Sequence, residues 1–260
     1  MSWLLAYYLW EGLRRGDGVL VIAEPEHRHL FLRQLERAGA KSTVLLASGQ
    51  LVLLDAQETL NEFMAGGQPD WHRFEGVVKA AMRGVKAANG AAGLRAYGEM
   101  AGILWKARQF AAAVRLEQFC NRILEQSSFS LYCAYAIDVF GKDFHAGALD
   151  EILCAHSHLV PAQLNGDFET ALNLAMDEIV GEQADALRIL IQANYRPGWA
   201  LMPNAEATVL WLRKNLPQRA EDIISRSRDY YNQLLQGDLL PRGGPGEPFP
   251  HGQNSFDHSI

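Results

Sequence analysis

The stretch that decides the fold spans residues 16–25 and reads Gly-Asp-Gly-Val-Leu-Val-Ile-Ala-Glu-Pro. Its apolar run, residues 19–23, is rich in β-branched side chains and is typical of a strand buried on both faces of a sheet. The glycines before the run end a helix that helical spacing predicts over Trp3–Arg15. Pro25 begins the next helix. A helix, a doubly buried strand and a second helix in succession indicate an α/β fold.

The alternation of strands and helices continues to about residue 160. Apolar and β-branched runs predict further strands at residues 43–46, 51–54, 94–97 and 129–135. Helical spacing and capping residues predict helices over residues 25–38, 56–64, 70–88, 101–125 and 143–156. We therefore expect a mostly parallel sheet that is flanked by helices.

The second part of the chain has a different pattern. The strand signal ends, and helices are predicted over residues 167–192, 205–215 and 218–236. Residues 237–260 hold four of the ten prolines and are rich in glycine, so we predict a disordered tail there. The predicted organisation is an α/β domain over residues 1–160, a helical region over residues 164–236 and the tail.

Composition excludes several classes of function. The chain has 24 Lys and Arg against 30 Asp and Glu, which gives a net charge of −6. This balance disfavours direct binding to nucleic acid or to an acidic membrane surface. No apolar run reaches the roughly 18 residues of a membrane-spanning helix. The three cysteines form no CxxC pair and are typical of reduced thiols, so we expect a cytoplasmic protein.

Two strings come close to known binding motifs without matching them. Residues 39–43, Gly-Ala-Lys-Ser-Thr, lack the glycine that precedes the lysine of a phosphate-binding loop, and they lead into a predicted strand. Cys154, His156 and His158 are zinc-type ligands, but at this spacing they converge only on a strand or loop. Residues 26–29, Glu-His-Arg-His, are predicted to be solvated charge. We predict no metal site, no cofactor and no catalytic residue.

Polar and aromatic side chains at the ends of the predicted strands are the candidate ligand-binding residues. Open α/β sheets bind ligands at the carboxyl ends of their strands. Glu99 follows one strand, where it suits either a ligand site or a helix N-terminus. The predicted ligand-binding residues are Glu24, Arg95, Tyr97, Glu99 and Tyr135. Glu117 and Asn121 share one face of a predicted helix, and the spacing leaves open whether that face is exposed.

An ordered series of motifs resembles one known family. The series comprises residues 7–23, residues 49–60, Arg-Ala-Tyr-Gly-Glu-Met at 95–100, Leu104-Trp105, Leu116-Glu117 with Asn121, and residues 129–135. Together they resemble the MEDS family, the sensory domain named from methanogen and methylotroph regulators, over roughly residues 1–160. The resemblance implies a RecA/KaiC-like sheet, sensing of small hydrocarbon-derived ligands, and association with histidine kinases or transcription regulators.

The chain departs from the family pattern at its start. The family begins with a strand that carries an aromatic pair before the first helix, whereas Met1 lies almost at that helix. We therefore expect the first strand, and the position of an ATPase phosphate loop, to be missing, and we expect no ATP hydrolysis.

The leading functional hypothesis is a non-catalytic sensory or regulatory protein. It would bind a small molecule near the strand ends and signal to a protein partner, either a histidine kinase or a transcription regulator. A homo-oligomer is a further expected interaction. One alternative is a degenerate nucleotide-binding protein or an enzyme that uses Glu99 as metal ligand or general base. The other is a protein-interaction module built on residues 164–236.

Overall fold

The computed structural model describes residues 3–85, 93–136, 148–149, 151–152, 155–156, 166–194 and 204–236. Most of the helix predicted over residues 143–156, and the whole predicted tail, lie outside the described residues. Within the described residues, no helix is long and apolar enough to span a membrane.

The centre of the fold is a parallel sheet of four strands in the order β2-β1-β5-β6. A short antiparallel hairpin, which the sequence did not predict, follows the fourth helix. The strands are β1 (Gly18–Ala23), β2 (Leu51–Asp55), the hairpin strands β3 (Met64–Ala65) and β4 (Gln68–Pro69), β5 (Leu94–Gly98) and β6 (Ser130–Cys133). The predicted α/β class with a mostly parallel sheet is confirmed.

Helices cover both faces of the sheet and make up the second part of the chain. Those of the first part are α1 (Trp3–Arg15), α2 (Pro25–Arg37), α3 (Ser42–Ser48), α4 (Ala56–Phe63), α5 (Trp71–Gly84), α6 (Met100–Lys106) and α7 (Phe110–Gln126). Those of the second part are α8 (Asp167–Val180), α9 (Ala184–Asn194), α10 (Asn204–Asn215) and α11 (Pro217–Gln236), with a 3₁₀ turn at Gly181–Gln183. The C-terminal helical region is therefore confirmed.

Side chains of the sheet alternate between two apolar cores. Every residue of β1 is buried, as its continuous apolar run predicts. Val19 and Val21 pack with α1 and α2 on one face, whereas Leu20 and Ile22 join the core on the other face, which holds side chains of α4–α7. Helices α8–α11 have a core of their own, but Leu210 of α10 belongs to the core on the α4–α7 face.

The strand predicted at residues 43–46 is wrong, because these residues lie in α3. Gly49 takes a left-handed conformation with φ 77° and ends that helix, and its N–H donates to the carbonyl of Leu46. The Ser42 hydroxyl donates to Glu36 of α2 at 2.6 Å and fixes the start of the helix. Val44 remains 57% exposed. Local capping and the docking against α2 outweigh the strand preference of Thr43 and Val44.

The single helices predicted over residues 101–125 and 167–192 are each two helices. The first break is a Schellman motif with Arg108 at φ 60°: the N–H of Gln109 bonds the carbonyl of Leu104, and that of Arg108 bonds Trp105. Glycine usually takes this position, so an arginine there gave no signal in the sequence. The second break occurs at Gly181, where φ is 65° and ψ is −136°.

A close approach between α6 and the chain after β6 positions the carboxyl end of the sheet. A methyl group on Gly102 would overlap the carbonyl oxygen of Ala134. The amide of Ala134 in turn donates to the carbonyl of Gly98 at 3.0 Å. Gly102 therefore lets α6 lie directly against the segment that follows β6.

We expect Gly102→Ala to lower the free energy of unfolding by about 1–3 kcal/mol, because the new methyl group forces the backbone of residue 134 away. Gly76→Ala is the matched control. Gly76 lies on the exposed face of α5 with no atom within 4 Å of a new methyl group. The control should gain about 0.5–1 kcal/mol from helix propensity. Urea unfolding of both variants measures the difference, and equal effects would show that the close approach is unimportant.

Candidate functional site

Two clusters of ionisable side chains lie at the carboxyl ends of the central strands. Register pairs Tyr97 with Tyr132 and Gly98 with Cys133. Since successive side chains of a strand point to opposite faces, Tyr97 faces the core with α1 and α2, whereas Cys133 faces α7. The Glu99 cluster, on the first side, comprises Glu24, His27, Tyr97 and Glu99. The Glu117 cluster, on the second side, comprises Glu117, Cys120, Cys133, Tyr135 and His156.

The Glu99 carboxylate is buried and is surrounded by donors. One oxygen accepts from the Tyr97 hydroxyl at 2.5 Å and from His27 Nδ1 at 2.7 Å, and the other accepts from the backbone N–H of Glu24 at 2.7 Å. Because an ionised carboxylate only accepts, His27 carries its hydrogen on Nδ1. Three donors offset much of the cost of burying this charge. Glu99 thereby ties the start of α2 to the end of β5.

Tyr97 is held in its neutral form within this cluster. Burial, followed by the negative charge of Glu99, raises the pKa of the Tyr97 hydroxyl. A neutral phenol retains the proton that it donates to Glu99. The pair is therefore a stable hydrogen bond rather than a shared negative charge.

Three of the predicted ligand-binding residues, Glu24, Tyr97 and Glu99, lie together in the structure. The prediction that residues 26–29 are solvated charge is wrong for two of them. His27 bonds Glu99, and Arg28 forms an ion pair with Asp55 at 2.8 Å. The start of α2 at the carboxyl end of β1 was a sequence signal that both side chains lie near the strand ends. Their partners, Glu99 and Asp55, lie at the ends of β5 and β2, and the sequence did not identify them.

Arg95 lies at the other end of β5. Its guanidinium donates to Asp17 at 2.9 Å and to the carbonyl of Tyr8 at 2.8 Å, and it stacks over the Tyr8 ring. Gly12 makes room for this side chain, since a methyl group there would lie 2.6 Å from the Arg95 Cδ atom. The structure therefore does not bring Arg95 to the Glu99 cluster, and the contacts it shows tie α1 to the sheet.

The fifth predicted residue, Tyr135, belongs to the Glu117 cluster. Its hydroxyl makes a short hydrogen bond to one oxygen of Glu117, a side chain that is only 2% exposed. The other oxygen accepts from the Cys133 thiol at 3.4 Å and lies 3.5 Å from His156 Nε2. Burial and then the charge of Glu117 raise the pKa of Tyr135, so its hydroxyl stays protonated.

The thiol of Cys133 stays protonated in this arrangement. Its pKa is raised well above the usual value by its contact with the Cys120 thiol, then by burial and by the charge of Glu117. A second negative charge beside a buried carboxylate is costly. A nearby cation would reverse this balance.

The face shared by Glu117 and Asn121 is turned towards the segment that contains His156. Asn121 donates to the carbonyl of Ala155 at 2.9 Å, and His156 Nδ1 bonds the carbonyl of Ile152 at 2.7 Å. The helical spacing left open whether this face is exposed, and in the structure Glu117 is buried. Helical spacing placed Glu117 and Asn121 on one face, but no sequence signal linked them to Cys133 or His156.

A cavity of about 50 Å³ lies between the sheet and helices α5–α7, beneath the carboxyl ends of β5 and β6. Its walls are almost entirely apolar, with side chains such as Phe74, Met82 and Leu116. The polar side chains of Glu117 and Cys133 line it as well. Gly98 also lines the cavity, and a methyl group there would have no atom within 4 Å.

The family assignment follows from comparison with known proteins. The model of the MEDS family, described as "MEthanogen/methylotroph, DcmR Sensory domain", matches residues 1–157. The chain belongs to the MEDS family. The predicted resemblance is thereby confirmed, and membership of this family supports a sensory or regulatory role. Searches of curated proteins and of solved structures find no match.

We expect Glu99→Gln to lower the free energy of unfolding of this MEDS protein by about 1–3 kcal/mol. The amide replaces one accepting oxygen with a donor, so at least one of the donors around Glu99 loses its partner. Glu62→Gln, on the exposed face of α4, makes the same chemical change and should stay within about 0.5 kcal/mol of the wild type. Urea unfolding at neutral pH compares them. A Glu99→Gln protein as stable as the control would contradict a structural role for this carboxylate.

Proposed function

We propose that this MEDS protein senses a small apolar molecule that binds in the cavity beneath the carboxyl ends of β5 and β6. The cavity itself is the observation that supports the proposal. Ligand sites are commonly mostly apolar hollows with a few polar groups that fix orientation, and this cavity has apolar walls together with Glu117 and Cys133.

The size of the cavity favours a ligand of only a few heavy atoms. A cavity needs roughly 10–15 Å³ of such space to hold one water molecule, so about 50 Å³ accommodates a molecule of a few heavy atoms. A short halogenated or oxygenated hydrocarbon has this size and an apolar surface. The family description as a sensory domain supports a sensing role for such a site.

The walls of the cavity disfavour a nucleotide. Phosphate groups need several donors when they leave water, and the cavity offers an apolar surface beside a carboxylate. Glu99, the residue named for an enzymatic alternative, already accepts three hydrogen bonds. These contacts favour binding of a neutral molecule over nucleotide chemistry at this end of the sheet.

The signal would pass from the cavity face to helices α8–α11. Leu210 of α10 shares one apolar core with the cavity-lining residues Leu116 and Ile123. A ligand that favours one packing of this core would shift the position of α10. The receiving partner would be a histidine kinase, a transcription regulator or a second copy of the chain.

Filling the cavity tests the binding site. We expect Gly98→Ala to place a methyl group in the cavity without a clash and to abolish binding, while the fold is kept. Thermal unfolding in sealed capillaries with and without dichloromethane is the measurement. Ligand at about 100 times its Kd should stabilise the wild type by about 2.7 kcal/mol.

Gly76→Ala is again the matched control, because it adds the same methyl group to an exposed helix position away from the cavity. Any general solvent effect is common to the three proteins. The wild type and Gly76→Ala should therefore be stabilised equally, and Gly98→Ala should not. Equal responses of all three proteins would refute binding of this probe in the cavity.

A further inference from the structure

Glu117, Cys133 and His156 bring three metal-ligand atoms together at the polar end of the cavity. The carboxylate oxygen, the thiol sulfur and the imidazole nitrogen all lie within 4.8 Å of one another. Glu117 Oε2 is 3.4 Å from Cys133 Sγ and 3.5 Å from His156 Nε2. Ligands of a tetrahedral zinc ion, with bonds of about 2.0–2.3 Å, lie about 3.3–3.5 Å apart. The two separations from Glu117 Oε2 therefore match those around a tetrahedral ion, and the third pair, Cys133 Sγ and His156 Nε2, lies within 4.8 Å.

The orientation of His156 is that of a metal ligand. Its Nδ1 bonds the carbonyl of Ile152 at 2.7 Å, and since a carbonyl only accepts, Nδ1 carries the hydrogen. In the neutral ring, Nε2 then presents a lone pair towards an oxygen of Glu117, which is also an acceptor. Metal-bound histidines typically donate their second ring nitrogen to a carbonyl in this way.

The buried charge of Glu117 also favours binding of a cation. Its side chain is 2% exposed, and among the described residues it is paired with no lysine or arginine. Its donors are the Tyr135 hydroxyl and the Cys133 thiol, the second of which is weak. A buried carboxylate with such partners is costly, and a bound cation would remove that cost.

The Glu99 cluster has similar residue types but a different arrangement. Glu24, His27 and Glu99 also place their ligand atoms within 4.8 Å of one another. There, however, the Glu99 oxygens already accept from Tyr97, His27 and a backbone N–H. The Glu99 oxygens therefore already have hydrogen-bond donors as partners. In the Glu117 cluster, by contrast, Glu117 Oε2 faces His156 Nε2, which acts as an acceptor in the neutral ring.

The geometry points to a transition-metal site of the zinc type formed by Glu117, Cys133 and His156. The thiolate and imidazole ligands favour zinc or a related ion over magnesium or calcium, which prefer oxygen. This site differs from the sequence expectation of no metal. Of the string formed by Cys154, His156 and His158, it uses His156, and the other two lie outside the described residues. It lies against the cavity, since Glu117 and Cys133 line both.

Neighbouring groups hold the three ligands in place. The Tyr135 hydroxyl fixes the second oxygen of Glu117, the Ile152 carbonyl fixes the ring of His156, and Asn121 holds the carbonyl of the preceding residue, Ala155. Cys120 lies next to Cys133 and adds a second sulfur to the surroundings. Such outer contacts orient ligands and raise metal affinity.

The test is a titration of the chelator-treated full chain with Co²⁺, which reports thiolate ligation through an ultraviolet sulfur-to-cobalt charge-transfer band and tetrahedral geometry through intense visible bands. We expect both signals with the wild type. Cys133→Ser should abolish the charge-transfer band, because Cys133 is the one thiolate ligand of the proposed site, and His156→Gln should weaken Co²⁺ affinity about tenfold or more. His27→Gln, the same change in the Glu99 cluster, should bind Co²⁺ as the wild type does. Circular dichroism confirms that each variant is folded.

The absence of a charge-transfer band in the wild type would overturn the site, as would a band that Cys133→Ser leaves unchanged. Loss of binding in His27→Gln with retention in His156→Gln would place the ion in the Glu99 cluster and refute this proposal. The titration contains no organic ligand. Its failure would therefore leave the cavity hypothesis standing, and a failure of dichloromethane binding would leave the metal site standing.

Discussion

The parallel pairing of β5 between β1 and β6 is the constraint on which the rest of the structure depends. It brings the carboxyl ends of three strands to one edge, with Gly98 opposite both Ile22 and Cys133. A shift of one residue would exchange the faces of every side chain on β5 or β6. Tyr97 would then leave the α1 and α2 side, and the two ionisable clusters would not form. Each face of the sheet packs into its own apolar core, so such an exchange would move every side chain of the strand into the wrong core.

The edge carries two buried carboxylates with opposite surroundings. Glu99 is satisfied by the donors of its own cluster and acts as a tie between β5 and the start of α2. Glu117 accepts from the Tyr135 hydroxyl and from the weak Cys133 donor and lies 3.5 Å from His156 Nε2, and this difference in donors makes the first cluster a structural element. It makes the second cluster the place where a ligand or an ion would lower the free energy of the protein.

The cavity and the Glu117 cluster lie on one face of the sheet, and Leu210 of α10 packs into the apolar core on that face. Gly98 provides space at the strand end, and α7 supplies both apolar wall and Glu117. Leu210 extends the same core to α10. Under the proposed function, a ligand in the cavity would act on a packed core, which tolerates few alternative arrangements, and this would give a physical route from a small ligand to a helix displacement.

The sequence determined the α/β class, the bounds of α1 and β1, and the placement of Glu24, Tyr97 and Glu99 at the strand ends, because these follow from local periodicity and from the geometry of parallel sheets. It could not determine that residues 43–46 form a helix or that Arg108 ends one, since capping and docking overrode local preference there. Glu117, Cys133 and His156 lie 16 residues or more apart in the sequence. Only the tertiary structure brings these three together, because the contact depends on the packing of α7 against β6 and not on any spacing along the chain.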